Sequence, residues 1–150
     1  MLNAEPIFTV DAELEAIIDL GRSPYGGRRF VGIRGGNVSG PRLKGRILPG
    51  GGDWQIIRGD GAADISARYI VEADNGARIR VESDGLRHGP PEVLEKLMRG
   101  EQVDPALYYF RTAMRFETAD RKFDWLNRIL AIARGAREAR RVKLDVFEVL

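Results

Sequence analysis

The chain has 150 residues, enough for one domain, and its 43% hydrophobic and 31% charged residues are the balance of a folded globule, not of a disordered chain. With no cysteine and a single histidine, disulfides, thiolate zinc sites and cysteine nucleophiles are excluded, and so is nearly every histidine-based metal cluster. A net charge of +2 is too small to announce a nucleic-acid binder, and no apolar run approaches the ~20 residues of a membrane-spanning helix.

The opening Met1-Leu2-Asn3-Ala4-Glu5-Pro6 has neither the basic start nor the apolar stretch of a signal peptide, so a cytoplasmic protein is expected. Phe8, Val10, Ala12 and Leu14 alternate with Thr9, Asp11 and Glu13, which predicts a first strand. Asp11 to Leu20 also fits a helix closed by Gly21, but the alternation upstream favours strand. Val31 with Ile33, then Leu43 to Leu48, then Trp54 with Ile56 predict further short strands. From Asp64 to Ala73, Ile65, Ala67, Tyr69 and Val71 share one face, with Asp64, Ser66, Arg68 and Glu72 on the other. Asn75-Gly76 then predicts a two-residue type I′ hairpin turn into a returning strand from Arg78 to Ser83.

One helix is expected at Pro91–Arg99. Proline suits the first helical position, Glu92 the positive end of the dipole, and Gly100 a left-handed cap. Tyr108 to Thr118 alternates again, and Phe123 to Ala133 and Arg141 to Leu150 complete the strands. In the last of these the apolar phase switches after Val146, which predicts a β-bulge there. Glycine and proline cluster as turn signals between these runs. Eight to ten short strands, one short helix and short connections predict an all-β, single-domain closed antiparallel barrel over residues 1–150, because closure removes exposed strand edges.

Charge is distributed in blocks. Met1 to Asp19 has five acids and no base, whereas Leu20 to Gly52 has no acid and seven bases. Such blocks suit antiparallel neighbours whose opposite charges meet across strands. The glycine-rich segments Gly35–Gly40 and Pro49–Gly52 lack the Lys-Ser/Thr ending and following helix of a phosphate loop, so they read as turns. Arg58-Gly59-Asp60 likewise reads as a turn, and His88 as a loop residue without a metal or nucleophile partner.

Several strands place a charged or amide group beside a large ring, at Asp53-Trp54, Arg68-Tyr69, Phe110-Arg111, Phe116-Glu117 and Trp125-Leu126-Asn127. Alternate residues of a small barrel face inward, and a carboxylate turned into a partly apolar lumen is poised for acid–base work if it is not simply paired. The chain also resembles the uncharacterised bacterial and fungal β-barrel family of domain of unknown function 3237 (uncharacterised protein family 0311). The strings that carry the resemblance include Gly40-Pro41-Arg42-Leu43-Lys44-Gly45, Leu48-Pro49-Gly50-Gly51-Gly52-Asp53-Trp54, Ala67-Arg68-Tyr69, Gly85-Leu86-Arg87-His88-Gly89-Pro90, Tyr109-Phe110-Arg111-Thr112 and Trp125-Leu126-Asn127-Arg128. That resemblance implies a compact antiparallel barrel and no settled reaction.

The functional expectation is a barrel that binds a small carbonyl-bearing or aromatic molecule and catalyses proton transfer without a cofactor, as an isomerase, cyclase or lyase. Asp53 or Glu117 would act as acid–base, while Arg68 and Arg111 with Tyr69 would hold an enolate oxygen. Trp54, Phe110, Phe116 and Trp125 would form walls and Asn127 would orient the substrate, with no metal. The alternative is a non-catalytic ligand-binding or homo-oligomeric assembly module. Nucleic-acid binding is disfavoured, because only Tyr25 and Phe30 stand among the basic residues of the second block.

Overall fold

The computed structural model describes residues 1–150. Nine antiparallel strands run in the order β1 (Ala4–Ser23), β2 (Gly26–Ser39), β3 (Gly45–Ile47), β4 (Gly51–Ile57), β5 (Ala63–Ala73), β6 (Arg78–His88), β7 (Tyr109–Thr118), β8 (Ala131–Arg137) and β9 (Arg141–Val149). A single helix, α1 (Pro91–Met98), lies between β6 and β7. β1 pairs with both β9 and β2, so the sheet closes into a ring. β3 and β4 lie end to end between β2 and β5, so nine strands make eight staves. An eight-stave barrel is just wide enough for inward side chains to fill it or to leave room for one small ligand.

The whole of Asp11 to Leu20 is strand, part of the longest one, and pairs with β2 out to Ser23 opposite Gly26. Pairing with β2 along this stretch, and with β9 as far as Glu13, overrides the local helical option, because the neighbouring strands supply backbone hydrogen-bond partners that a helix would have to replace. Two expectations are corrected. Asn75-Gly76 is not a type I′ turn, since Gly76 alone has positive φ (+86°) and no other residue type adopts it anywhere in the chain. Glu72 pairs with Arg78 and the Gly76 N–H donates to the Ala73 carbonyl, which makes a type I turn followed by a left-handed glycine, the three-residue hairpin. Phe123 to Ala133 is not one strand either. A 3-10 turn over Asp124–Arg128 precedes β8, and it buries Phe123 and Leu126 as a plug.

The phase switch in β9 is accommodated from the opposite side. Pro6 faces Phe147 and Phe8 faces Val146, so the extra residue is Ile7 of β1, and Ile7 and Phe8 are both buried. α1 begins on Pro91 and stops where Gly100 turns to φ +76°, and it presses Val93 against the barrel.

One end of the lumen is dry, filled by Val71, Ile79, Val81, Met114, Val146 and the Phe8–Phe116 edge-to-face pair at 5.8 Å. Opposite charges pair across strands on the outer wall, though not between the two N-terminal charge blocks: Arg46 with Glu72 at 3.0 Å, Arg68 with Asp84 at 2.8 Å, Arg134 with Asp145 at 3.2 Å, and Arg141 with Asp11. Exposed pairs of this kind add little to stability, so register rests mainly on the buried face.

Where neighbouring strands approach closely, glycine is required. A Cβ on Gly85 would stand 2.0 Å from the Arg111 carbonyl oxygen and 2.6 Å from Thr112 Cα, both backbone atoms. Gly85→Ala is expected to destabilise the barrel by at least about 2 kcal/mol in chemical denaturation. Gly59→Ala, in a turn where a Cβ meets nothing within 4 Å, should unfold at the wild-type denaturant midpoint.

Candidate functional site

The opposite end of the lumen is polar. Arg29 on β2 continues the inward phase of Val31 and Ile33, Arg87 ends the inward series Ile79, Val81, Ser83, Gly85 on β6, and Arg137 ends Ala131, Ala133, Gly135 on β8. Asp53 and Gln55 come from the inward phase of β4, and Tyr69 from β5. Arg87 is only 7% exposed, and burial, followed by repulsion from Arg137 and Arg29, brings its pKa down to about 10. Arg29 and Arg137 are also lowered, again chiefly by burial.

These residues are connected by a directed chain of hydrogen bonds. Arg29 donates from Nη1 to Met98 Sδ on α1 (3.1 Å) and from Nε to Gln55 Oε1 (2.7 Å). Because a guanidinium only donates, Gln55 must turn its oxygen to Arg29, and its Nε2 donates to Asp53 Oδ2 at 2.7 Å. The Ser66 N–H donates to Asp53 Oδ1 at 2.9 Å. Burial is the largest influence on Asp53 and pushes its pKa up, against these two hydrogen bonds and the attraction of Arg87 and Arg137. The backbone N–H of Arg137 donates to Tyr108 Oη at 2.9 Å, while Arg137 Nη1 is buried with no hydrogen-bond partner.

Two cavities meet here. An inner chamber of about 50 Å³ is walled by apolar residues such as Val10, Val31, Ile65 and Leu144, with Asp53, Tyr69, Arg87 and Arg137 among its polar lining. A wider mouth of about 560 Å³ lies between Arg29, Ile17, Ile57 and the Leu94, Leu97 and Met98 side chains of α1. Arg87 and Arg137 line both cavities. Arg87 and Arg137 stand at the junction and Arg29 in the mouth beside it; Asp53 is the one carboxylate that attracts all three, Asp19 also attracting Arg29, which leaves an excess of buried positive charge. No group of three His, Asp or Glu side chains is placed to hold a metal ion.

Of the residues singled out from sequence, Asp53, Tyr69 and Phe110 line the inner chamber. The others are not brought to it. Arg68 is on the outer wall with Asp84, and Glu117 is exposed outside beside Arg80 and Arg115. Arg111 lies outside over the Tyr109 ring at 5.2 Å. Trp54 is 49% exposed and packs on Phe30 at 4.6 Å. Phe116 belongs to the dry end, and Trp125 lies under the Arg42 guanidinium at 3.6 Å. Asn127 ties the 3-10 turn to β7, accepting from the Thr118 N–H (2.8 Å) and donating to the Thr118 carbonyl (2.9 Å). For Arg68, Arg111, Glu117 and Trp54 the physical reason is strand parity. Residues adjacent in sequence face opposite sides of the wall, so the charged neighbour of an inward ring points out. The same parity would have identified Arg29, Gln55, Arg87 and Arg137, each in phase with buried apolar residues.

The model of a protein family of unknown function, DUF3237, matches residues 2–149. The chain belongs to this family. A UPF0311 protein of Rhodopseudomonas palustris is 43% identical over 149 residues, covering 99% of this chain and 97% of that relative. A UPF0311 protein of Clostridium acetobutylicum is 38% identical over 149 residues, 99% of this chain and 94% of its own length. The crystal structure of a conserved protein of unknown function from R. palustris superposes with a TM-score of 0.95 at 43% identity, covering 100% of this chain and 98% of that one. A β-barrel-like protein from Acinetobacter baumannii gives 0.87 at 40% identity, covering 100% and 97%. An enzyme from Penicillium herquei shares the fold at a TM-score of 0.75 and 19% identity, covering 99% and 95%. The family thus has a β-barrel fold and no assigned reaction. No helix of the chain is long and apolar enough to cross a membrane.

The folded barrel holds the Asp53 proton more tightly than the unfolded chain does, so ionisation of Asp53 above about pH 4 opposes folding. Wild-type protein should therefore lose stability relative to Asp53→Asn as pH rises from about 4 through the raised native value. Thermal melts of the two proteins across that interval check this; parallel curves would show that Asp53 titrates as it does in the unfolded chain.

Proposed function

We infer that the polar end of the barrel binds a small organic acid and moves a proton on it without a cofactor. The attraction of Arg29, Arg87 and Arg137 to a single carboxylate beside the junction of two cavities carries this reading. Buried cations without enough counter-charge are costly, and an anionic ligand that enters through the mouth supplies the missing charge. The apolar side chains of Ile17, Ile57, Leu94 and Leu97 favour a ligand with a hydrocarbon or aromatic body.

In this reading Asp53 is the acid–base. Each of its oxygens accepts one hydrogen bond and keeps a lone pair, and its raised pKa brings its proton affinity closer to that needed near neutral pH. The carboxylate removes a proton from carbon next to the ligand's carbonyl. The electron pair moves onto the carbonyl oxygen, where Arg87 and Arg137 stabilise the enolate. The proton then passes from Asp53 to the enolate oxygen, which completes a tautomerisation, or to another carbon of a conjugated enolate, which completes an isomerisation, and either balances with no oxidant or reductant. A purely binding barrel would share the anion site and lack the proton step.

Two measurements test the reading. Phenylacetate, as a probe anion with an aromatic body, should bind in isothermal titration and lose at least about tenfold in affinity (about 1.4 kcal/mol) in Arg137→Met. Arg87→Met should weaken binding similarly yet raise the melting temperature by roughly 2–4 °C, because it removes a poorly compensated buried charge worth about 1 kcal/mol. Deuterium exchange at the carbon next to the carbonyl of phenylpyruvate should be accelerated by wild-type protein and not by Asp53→Asn. Phenylacetate binding without such acceleration would leave a binding barrel only.

A further inference from the structure

Tyr69 stands on the inward face of β5 between Ala67 and Val71, and its ring is buried. Its hydroxyl has no hydrogen-bond partner. Burying a hydroxyl unpaired opposes folding, and phenylalanine would occupy nearly the same space without that cost. Tyr69 lines the inner chamber, which holds a second hydroxyl with spare capacity. Ser83 Oγ donates to Thr112 Oγ1 at 2.9 Å, so the proton of Thr112 remains available to another acceptor.

The chamber's size limits what can meet these donors. About 50 Å³ exceeds the space of one water molecule but excludes a ring, so only a substituent of a few atoms can enter past the arginines. The chamber already holds the Asp53 carboxylate, which opposes a second anionic group, and beyond its few polar side chains the wall is apolar, so that substituent is small and uncharged. Because Arg87 and Arg137 border both cavities, a ligand whose carboxylate is held by them can place a neighbouring oxygen in the chamber only if few bonds separate the two.

We propose that the inner chamber is a specificity subsite whose Tyr69 hydroxyl hydrogen-bonds an uncharged oxygen beside the ligand's carboxylate, so that the barrel selects 2-hydroxy or 2-oxo acids. This rests on the anion-site reading above and narrows its substrate class. Without that oxygen the Tyr69 hydroxyl stays unpaired in the complex, which is how a polar subsite discriminates against a deoxy analogue.

Mandelate and phenylacetate differ by one such hydroxyl and serve as probes. By isothermal titration, one enantiomer of mandelate should bind wild-type protein at least about tenfold more tightly than phenylacetate. Tyr69→Phe should bring the two within about twofold, with no fall in melting temperature. Thr112→Val should reduce the mandelate preference in the same direction, and it provides the test if Tyr69→Phe does not fold. Equal affinities in wild-type protein, or a preference that survives both substitutions, overturn the subsite while the anion site stands. If phenylacetate does not bind, or binds Arg137→Met as tightly as wild type, the anion site itself fails and the subsite falls with it.

Discussion

Buried positive charge at one end of a closed barrel is the constraint on which the site depends. Arg29, Arg87 and Arg137 repel one another where water is scarce, and each has its proton affinity lowered mainly by burial. Asp53 is the one carboxylate that attracts all three. Its two oxygens already accept from Gln55 and Ser66, so it serves Arg87 and Arg137 by attraction at a distance. A protein built for stability alone would fill this space with aliphatic side chains, as it does at the other end.

The barrel holds this arrangement through its dry half. Phe8, Phe116, Met114 and Leu126 pack the closed end, and the 3-10 turn after β7 seals it. Packing there sets the register of every stave, and register in turn decides which residues look inward at the polar end. A one-residue slip of β6 would turn Arg87 out and Leu86 in. The open end is treated differently. α1 contributes Val93 to the core and the Met98 sulfur to Arg29, and the rest of its apolar side faces the mouth cavity instead of closing it.

Charges on the two sides of the wall do separate work. Outside, Arg68, Arg134 and Arg141 each meet an acid on a neighbouring strand, in water, where such pairs add little to stability. Inside, arginines of the same sequence character lack such partners, and their desolvation gives them affinity for an anion. Arg28 and Arg29, adjacent on β2, illustrate the difference. Arg29 continues the buried phase of Val31 and donates to Gln55, while Arg28 takes the opposite phase.

Much of the architecture was legible in the chain. Alternation in Ile65-Ala67-Tyr69-Val71 and Tyr108-Phe110-Thr112-Met114 marked strands and their buried faces, Pro91 and Gly100 bounded the helix, and opposite charge blocks anticipated paired strands. Local pattern sufficed because a strand's two faces and a helix's ends are set by neighbours in sequence. The type of turn at Asn75-Gly76 and the break before Ala131 were not legible, since a turn's backbone answers to the strands it joins. The site was legible only in part. Parity places Arg29, Asp53, Arg87 and Arg137 inside, but their four separate strands must close into a ring before these charges act on one another. That proximity, and the two cavities it borders, follow from long-range pairing alone, because residues far apart in the chain interact only once the sheet has closed.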